Sequence, residues 1–453
     1  MFKLYSKDVK SVGFLGLGKS NLGVFEYLSK HIKNLDVTVR NNSPADVSFL
    51  SPRRVFFGKE TLQSIEEDIL FISPSARRDI KELKDAAARG VILSSDAELF
   101  FENTAADVFC VTGSDGKSTT TYLTSRLISD NCKKAVAFGN IGQAMSPYLD
   151  GDENTRYVAE LSSFQLMYLK PKSERSIITN VTENHLNWHT SFEEYINAKR
   201  SVFENSKNRV VNFDCEISRR IAKDYSIFAV FSTENDENTL KKLIKAELYV
   251  TLADGIICVS GEPVLKTHDI KTCGHHNVLN FMSAIAMSYG LYEKENLTSL
   301  AREFGGLAHR CELVGELNGV SYYDSSIDSS PKRCAATLSM LSDKLIVILG
   351  GRSKKLDFSE LMPILKRKAK LVIIMGECQK EIEDAVISYE KSSDSVITYK
   401  LIDNFYDAID YATTVAEPGD KVVLSPGATS YDNFANFEER GEAFKLFLKS
   451  KGI

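Results

Sequence analysis

At 453 residues the chain exceeds one ordinary domain and points to about three, with a 43% hydrophobic and 26% charged composition typical of a globular protein. Its formal net charge of −5 has no long run of one sign, which argues against bulk attraction to nucleic acid or an anionic membrane. No apolar stretch reaches the ~20 residues of a bilayer span. The N-terminus lacks a cleavable signal pattern, and eight cysteines without paired spacing imply a reducing cytoplasm rather than a disulfide scaffold.

The first segment, 1–97, opens with a strand over 12–17, a glycine turn (Gly16-Leu17-Gly18-Lys19-Ser20) and a helix start. This suits a phosphate or pyrophosphate at a helix N-terminus. It departs from a dinucleotide fingerprint, because the next glycine after Gly18 is Gly23, two places late. The strand 37–39 ends in Arg40-Asn41-Asn42, with no acid for a ribose hydroxyl. A nucleotide diphosphate other than NAD fits better; a Rossmann-like turn with no ligand is the alternative. A further strand ends in Ser73-Pro74-Ser75, where such sheets usually meet ligands. Ser95 begins a short helix near the first boundary.

The central segment, 98–307, contains V-F-C-V-T-G-S-D-G-K-S-T-T-T over 108–121. An apolar run predicts a buried parallel strand, the loop Gly113-Ser114-Asp115-Gly116 follows, and Lys117-Ser118-Thr119 opens a helix with Leu123 and Leu127 on one face. This is a phosphate cradle: backbone N–H groups and a helix N-terminus take the anion, Lys117 adds charge, and a hydroxyl can hold Mg²⁺. The first glycine of a strict P-loop would fall at Val111, so the loop is a variant. Further on, a strand over 157–159 ends at Glu160, an acid placed to hold or orient Mg²⁺ beside such a loop. A third strand over 175–181 precedes His185 and His189, which lack the Glu and cysteines of zinc sites. One histidine near a second Mg²⁺ and a lone hydrogen-bonded histidine are the two readings. Ser191-x-x-Glu194 opens a helix carrying Lys199, ordinarily a solvated residue. Asn277 and Asn280, at i and i+3 near another helix start, could cap it or reach a purine.

The third segment, 308–453, predicts a hairpin at Asn318-Gly319 and strands over 345–349, 371–375 and 421–424. Strands alternating with helices predict a doubly wound parallel sheet, with ligands at the strand C-terminal ends near Lys354 and Ser430. A lysine beside a small hydroxyl would suit a dicarboxylate amino acid; a solvated loop is the plainer reading.

These stretches resemble the Mur ligases, the amino-acid-adding enzymes of peptidoglycan synthesis, along nearly the whole chain. The marks are T-G-S-D-G-K-S-T, G-N-I-G, E-L-S-S-F-Q-L, N-V-T-E-N-H, the 195–199 stretch, G-H-H-N, A-H-R-C-E and S-P-G-A-T-S-Y-D-N-F-A-N-F-E-E-R-G. The last is most specific to glutamate-adding members. The resemblance implies an α/β protein of three domains: N-terminal Rossmann-like, central P-loop ATPase-like parallel sheet, and C-terminal Rossmann-like. It implies a cytoplasmic monomer that uses ATP and Mg²⁺ and takes UDP-N-acetylmuramoyl-L-alanine and D-glutamate. Lys117, Glu160, His185 and Lys199 would be catalytic. Ser118 and Glu160 would bind one Mg²⁺, and His185 with a carbamylated Lys199 a second. Residues 113–119 with Asn277, Asn280 and Arg310 would bind ATP. Leu17, Gly18, Lys19, Ser20, Arg40, Asn41, Ser73, Asn140 and Ser162 would hold the UDP substrate, and Lys354, Ser430, Phe437 and Ser329 the amino acid. Ser325 stands where the family has the acid that meets the ATP ribose, so Asp324 is expected to substitute. A folylpolyglutamate synthase-like or L-glutamate-adding ligase, and a non-catalytic nucleotide-binding homologue, are the alternatives.

Overall fold

The structure, a computed structural model, describes residues 3–453 except 6, 130–132, 142, 187, 273, 353–355, 394 and 431. The chain forms two compact units, Met1–Ile270 with His275–Arg302, and Lys271–Gly274 with Glu303–Ile453. Among the described residues no helix is long and apolar enough to cross a membrane.

The first unit carries two large sheets. The smaller has five parallel strands in the spatial order Arg54–Phe57, Asp36–Asn41, Ser11–Leu15, Ile69–Ile72, Ile92–Ser94. The strand order reverses between Ser11–Leu15 and Ile69–Ile72, so the loops after them leave side by side, the usual ligand crevice of doubly wound sheets. The expected strand over 12–17 stops at Leu15 because Gly16 turns the chain at φ +84°. Asn21, almost fully buried, fixes that turn by donating to the carbonyls of Gly16 (2.7 Å), Leu15 (3.2 Å) and Phe71 (3.3 Å).

The larger sheet has nine strands, ordered Glu262–Lys266, Ile256–Val259, Ala246–Ala253, Ile227–Ser232, Asn205–Asn212, Lys172–Ile178, Val108–Thr112, Thr155–Glu160, Lys134–Gly139. The first three strands of that order pair antiparallel with one another in turn, and the remaining pairings are parallel. All five residues of Val108–Thr112 are buried, as expected of a strand flanked by neighbours and covered on both faces. The helix Lys117–Ile128 follows it, with Leu123 and Leu127 buried as their spacing predicts.

The second unit holds six strands, ordered Glu312–Leu317, Val320–Asp324, Lys421–Leu424, Leu345–Gly350, Ala369–Met375, Tyr399–Leu401. The hairpin turns at Asn318 (φ +52°) and Gly319 (φ +77°), the two positive angles that a tight two-residue turn needs. The remaining pairings are parallel.

Candidate active site

The phosphate loop is held from beneath by the strand end at Thr179 and Asn180. Thr179 Oγ1 donates to the Asp115 carbonyl (2.6 Å), and Asn180 Oδ1 accepts from the N–H of Asp115 (2.8 Å). The Ser114 N–H donates to the Asn180 carbonyl (2.9 Å). Strand Lys172–Ile178 ends earlier than the expected 181 because these groups serve the loop instead of the sheet. Gly113 (φ +154°) cannot be replaced without a clash, since an added Cβ would strike the Thr179 hydroxyl. Gly116 (φ +75°) ends the loop against the Asn280 side chain and caps the helix with no side-chain acceptor. The first N–H groups of Lys117–Ile128 therefore lack a side-chain cap, the arrangement that receives an anion. Lys117 Nζ donates to the Ser114 carbonyl (2.8 Å) and Ser118 is buried.

Glu160 pairs in register with Val111 and ends its strand beside the loop. Its side chain is buried; Oε1 accepts from Asn140 Nδ2 (2.8 Å), while Oε2 has no hydrogen-bond partner. A buried carboxylate oxygen without a donor is costly. Carboxylate and hydroxyl oxygens, such as those of Glu160 and Ser118, are the donor types Mg²⁺ takes. Asn280, on helix His275–Ser288, donates to Asn277 Oδ1 (3.3 Å), so the two asparagines do share a helix face.

Lys199 is not the solvated residue its helix position suggested. It is 2% exposed, donates to the Gly113 carbonyl (2.7 Å) and rests on the Tyr195 ring, 4.6 Å from its centroid. Burial, with Lys117 nearby, pushes its ammonium well below its ordinary range; Asp115 and Glu160 oppose that shift. Tyr195 Oη is within 2.8 Å of Ser114 Oγ, so the lysine, its supporting ring and the loop form one bonded cluster. His185, exposed, adopts φ +56° and packs its ring 4.9 Å from that of Phe164. His189 shares the Phe164 and Tyr195 rings with it but is buried, with Nε2 2.9 Å from Ser163 Oγ.

At the smaller sheet, helix Lys19–His31 begins at Gly18 with no side-chain cap and open space around that glycine. Leu17 is half-buried against the core, Lys19 is exposed, Ser20 is half-buried, and Ser73 Oγ is 3.3 Å from Ser75 Oγ. Asn41 donates to the Ser43 carbonyl (2.9 Å), and Ser162 caps the helix Ser163–Leu166. Arg40 is a correction. It is fully buried and spends its donors on Glu67 and on the carbonyls of Thr61, Gln63 and Ser64, which removes it as a contact for the UDP substrate.

In the second unit Asp324 also departs from expectation. It is fully buried, with Oδ2 2.7 Å from His309 Nδ1 and Oδ1 accepting from the Ser326 N–H (2.8 Å), so it is not placed to meet a ribose. Ser325 is equally buried, its Oγ accepting from the Cys311 N–H (3.1 Å). His309, which pattern alone left without a role, orders this cluster. Its N–H donates to Glu312 (2.9 Å) and its ring packs edge-on to Phe437. Arg310 is exposed, Ser329 half-buried, and Ser430 buried with its carbonyl accepting from the Phe434 N–H (2.9 Å). Lys354 falls outside the described residues.

A largely parallel sheet that delivers a Gly-Lys-Ser loop onto a helix N-terminus, with a buried acid and a buried lysine beside it, is the arrangement of an α/β protein built to receive an anion such as a phosphate. The Mur ligase middle domain matches residues 111–288, and the Mur ligase, glutamate ligase domain matches 309–428. The UDP-N-acetylmuramoylalanine–D-glutamate ligase of Ruminiclostridium cellulolyticum is 36% identical, covering 98% of this chain and 98% of its own. That of Acetivibrio thermocellus is 35% identical over 97% and 96%. In fold the chain is similar to the UDP-N-acetylmuramate–alanine ligase of Thermotoga maritima, with a TM-score of 0.59 at 18% identity, covering 97% and 99%. The chain belongs to the Mur ligase family, and is an ATP-dependent ligase that forms amide bonds.

Proposed function

We propose that this chain joins D-glutamate to UDP-N-acetylmuramoyl-L-alanine through an acyl phosphate, in the cytoplasmic stage of peptidoglycan precursor synthesis. The observation that carries the reading is the convergence of Lys117 and Lys199 on adjacent carbonyls of one phosphate loop, with Glu160 beside it. Its near-full-length relatives supply the substrate pair.

The loop N–H groups and Lys117 bind the β- and γ-phosphates and neutralise charge as the γ-phosphoryl group moves to the substrate carboxylate. The glutamate amine then attacks the activated carbonyl and phosphate leaves. Ser118 and Glu160 would hold one Mg²⁺, and His185 with a carbamylated Lys199 would serve a second; bound magnesium would supply Lewis-acid charge to the phosphate oxygens. Burial favours the neutral amine of Lys199, the form that adds CO₂ and releases a proton to become an anionic carbamate. Asn140 holds Glu160 in place, and Asn277, Asn280 and Arg310 serve ATP. Leu17, Gly18, Lys19, Ser20, Asn41, Ser73 and Ser162 serve the UDP substrate, and Lys354, Ser430, Phe437 and Ser329 the amino acid. The functional division is into 1–97, 98–307 and 308–453, and the enzyme acts as a monomer.

The test is ADP release and product formation with UDP-N-acetylmuramoyl-L-alanine and a panel of D- and L-amino acids. D-glutamate should be the acceptor, with one product per ADP. Turnover with another acceptor, or none with any, overturns the reading.

A further inference from the structure

Residues 73–79 follow the strand Ile69–Ile72 and carry Ser73, assigned above to the UDP substrate. The same loop grips the segment that leads from His185 into the helix of Lys199. The Ser75 carbonyl accepts from Trp188 Nε1 (2.8 Å). Arg77 has all five of its guanidinium N–H groups engaged. Nη1 donates to the Trp188 carbonyl (2.8 Å) and Glu194 Oε2 (3.1 Å), Nη2 to Glu194 Oε1 (3.0 Å) and Asp79 Oδ2 (2.6 Å), and Nε to Asp79 Oδ1 (2.8 Å). The guanidinium also covers the Trp188 ring at 5.0 Å. The far side of this grip is the catalytic cluster. The N–H groups of Trp188 and His189 both donate to the His185 carbonyl (3.0 Å each), and Glu194 adjoins Tyr195, on which Lys199 rests.

We propose that Arg77, Trp188 and Glu194 form a latch that sets the position of His185 and Lys199 according to the state of the substrate loop at 73–75. The residues are positioning residues; none of them touches a reacting atom. The inference rests on the proposed seating of the UDP substrate at Ser73. A planar fork bonded to two carboxylates and a carbonyl holds one geometry, whereas a lysine would hold only a point charge. A small displacement of catalytic groups is enough to slow a reaction by ~10²-fold.

Trp188 is the only tryptophan in the chain, so its emission reports on the latch directly. Titrating UDP-N-acetylmuramoyl-L-alanine into the full chain should change Trp188 emission with a midpoint near the KM for that substrate. In Arg77→Ala the emission change should be lost and kcat should fall ~10- to 100-fold, with the KM for ATP within ~2-fold of wild type. Arg77→Lys, a milder change, should lose the larger part of the same kcat. Arg77→Ala combined with Glu194→Gln should be no slower than the worse single variant, since both break one device. A lower melting temperature with unchanged kcat per folded molecule and an unchanged emission response would make the contact merely structural and overturn the latch. A wild-type enzyme that ligates normally with no emission change overturns it too, leaving the function intact. If the wild-type chain does not ligate this substrate pair, the functional reading and the latch fall together.

Discussion

Among the described residues of the first unit two lysine or arginine side chains are buried, Arg40 at 0% exposure and Lys199 at 2%, and the protein surrounds them in opposite ways. Arg40 meets Glu67 Oε1 through Nη2 (2.7 Å), gives its remaining donors to Glu67 and to three carbonyls, and has the Phe56 ring at 4.6 Å. Gly13 leaves the space that Glu67 fills. Every proton of that guanidinium has an acceptor, and its charge is balanced. Lys199 meets the Gly113 carbonyl and one face of the Tyr195 ring. A saturated buried cation suits a scaffold; an under-solvated amine beside a phosphate loop suits the reactive role proposed for Lys199.

The contrast is broken most sharply by exchanging each cation for an apolar residue of similar length. Lys199→Met should lower ligation by ~10²-fold or more, as loss of one preorganised group in such sites does, while melting at or above the wild-type temperature, because a costly buried amine is gone. Arg40→Met should do the reverse. It leaves the buried Glu67 with only the more distant Arg54 as a cationic partner (3.7 Å) and should cost about 3–5 kcal/mol in chemical denaturation, with kcat per folded molecule unchanged. Removing both partners, Arg40→Met with Glu67→Leu, should recover most of that loss. An Arg40→Met enzyme that is stable but inactive would erase the distinction.

The smallest effect concerns the exposed end of the scale. Bonds from Arg77 lower the Glu194 carboxyl from 4.5 to about 2. Its folded value is depressed, so its stabilising contribution is complete above about pH 4.5 and is lost as pH falls towards about 2. The difference in unfolding free energy between wild type and Glu194→Gln should be flat above pH 4.5 and narrow below it, as followed by denaturant titration at several pH values.

What could be read from residue order alone was local. The glycine loop at 113–116, the Ser95 and Ser191 caps and the Asn318-Gly319 turn all announce themselves within a few residues, and each is found where expected. Arg40 and Asp324 were misjudged because their partners are remote or unmarked: Glu67 comes 27 positions later, and His309 sits 15 positions before Asp324. Both residues stand at strand ends, where a ligand contact and a buried ion pair leave the same trace in the chain. Lys199 shows the converse. A lysine among Glu and Asn on a helix reads as solvent-facing until the Tyr195 ring and the Gly113 carbonyl are seen to enclose it. The strands between 205 and 266 carry no motif to notice, yet they are five of the nine in the larger sheet.

Helix His275–Ser288 bears on the order in which this enzyme can mature during synthesis. It packs against Lys117–Ile128 and sets Asn280 over Gly116, yet it returns to the first unit only after Lys271–Gly274 has been counted with the second. A nascent chain that has emerged only as far as residue 270 holds the whole nine-stranded sheet but not the wall against which its phosphate loop is pressed. On the proposed function, a nucleotide-ready loop awaits translation of a segment well downstream of its own glycines, and a ribosome stalled in that interval would expose the loop with one side open.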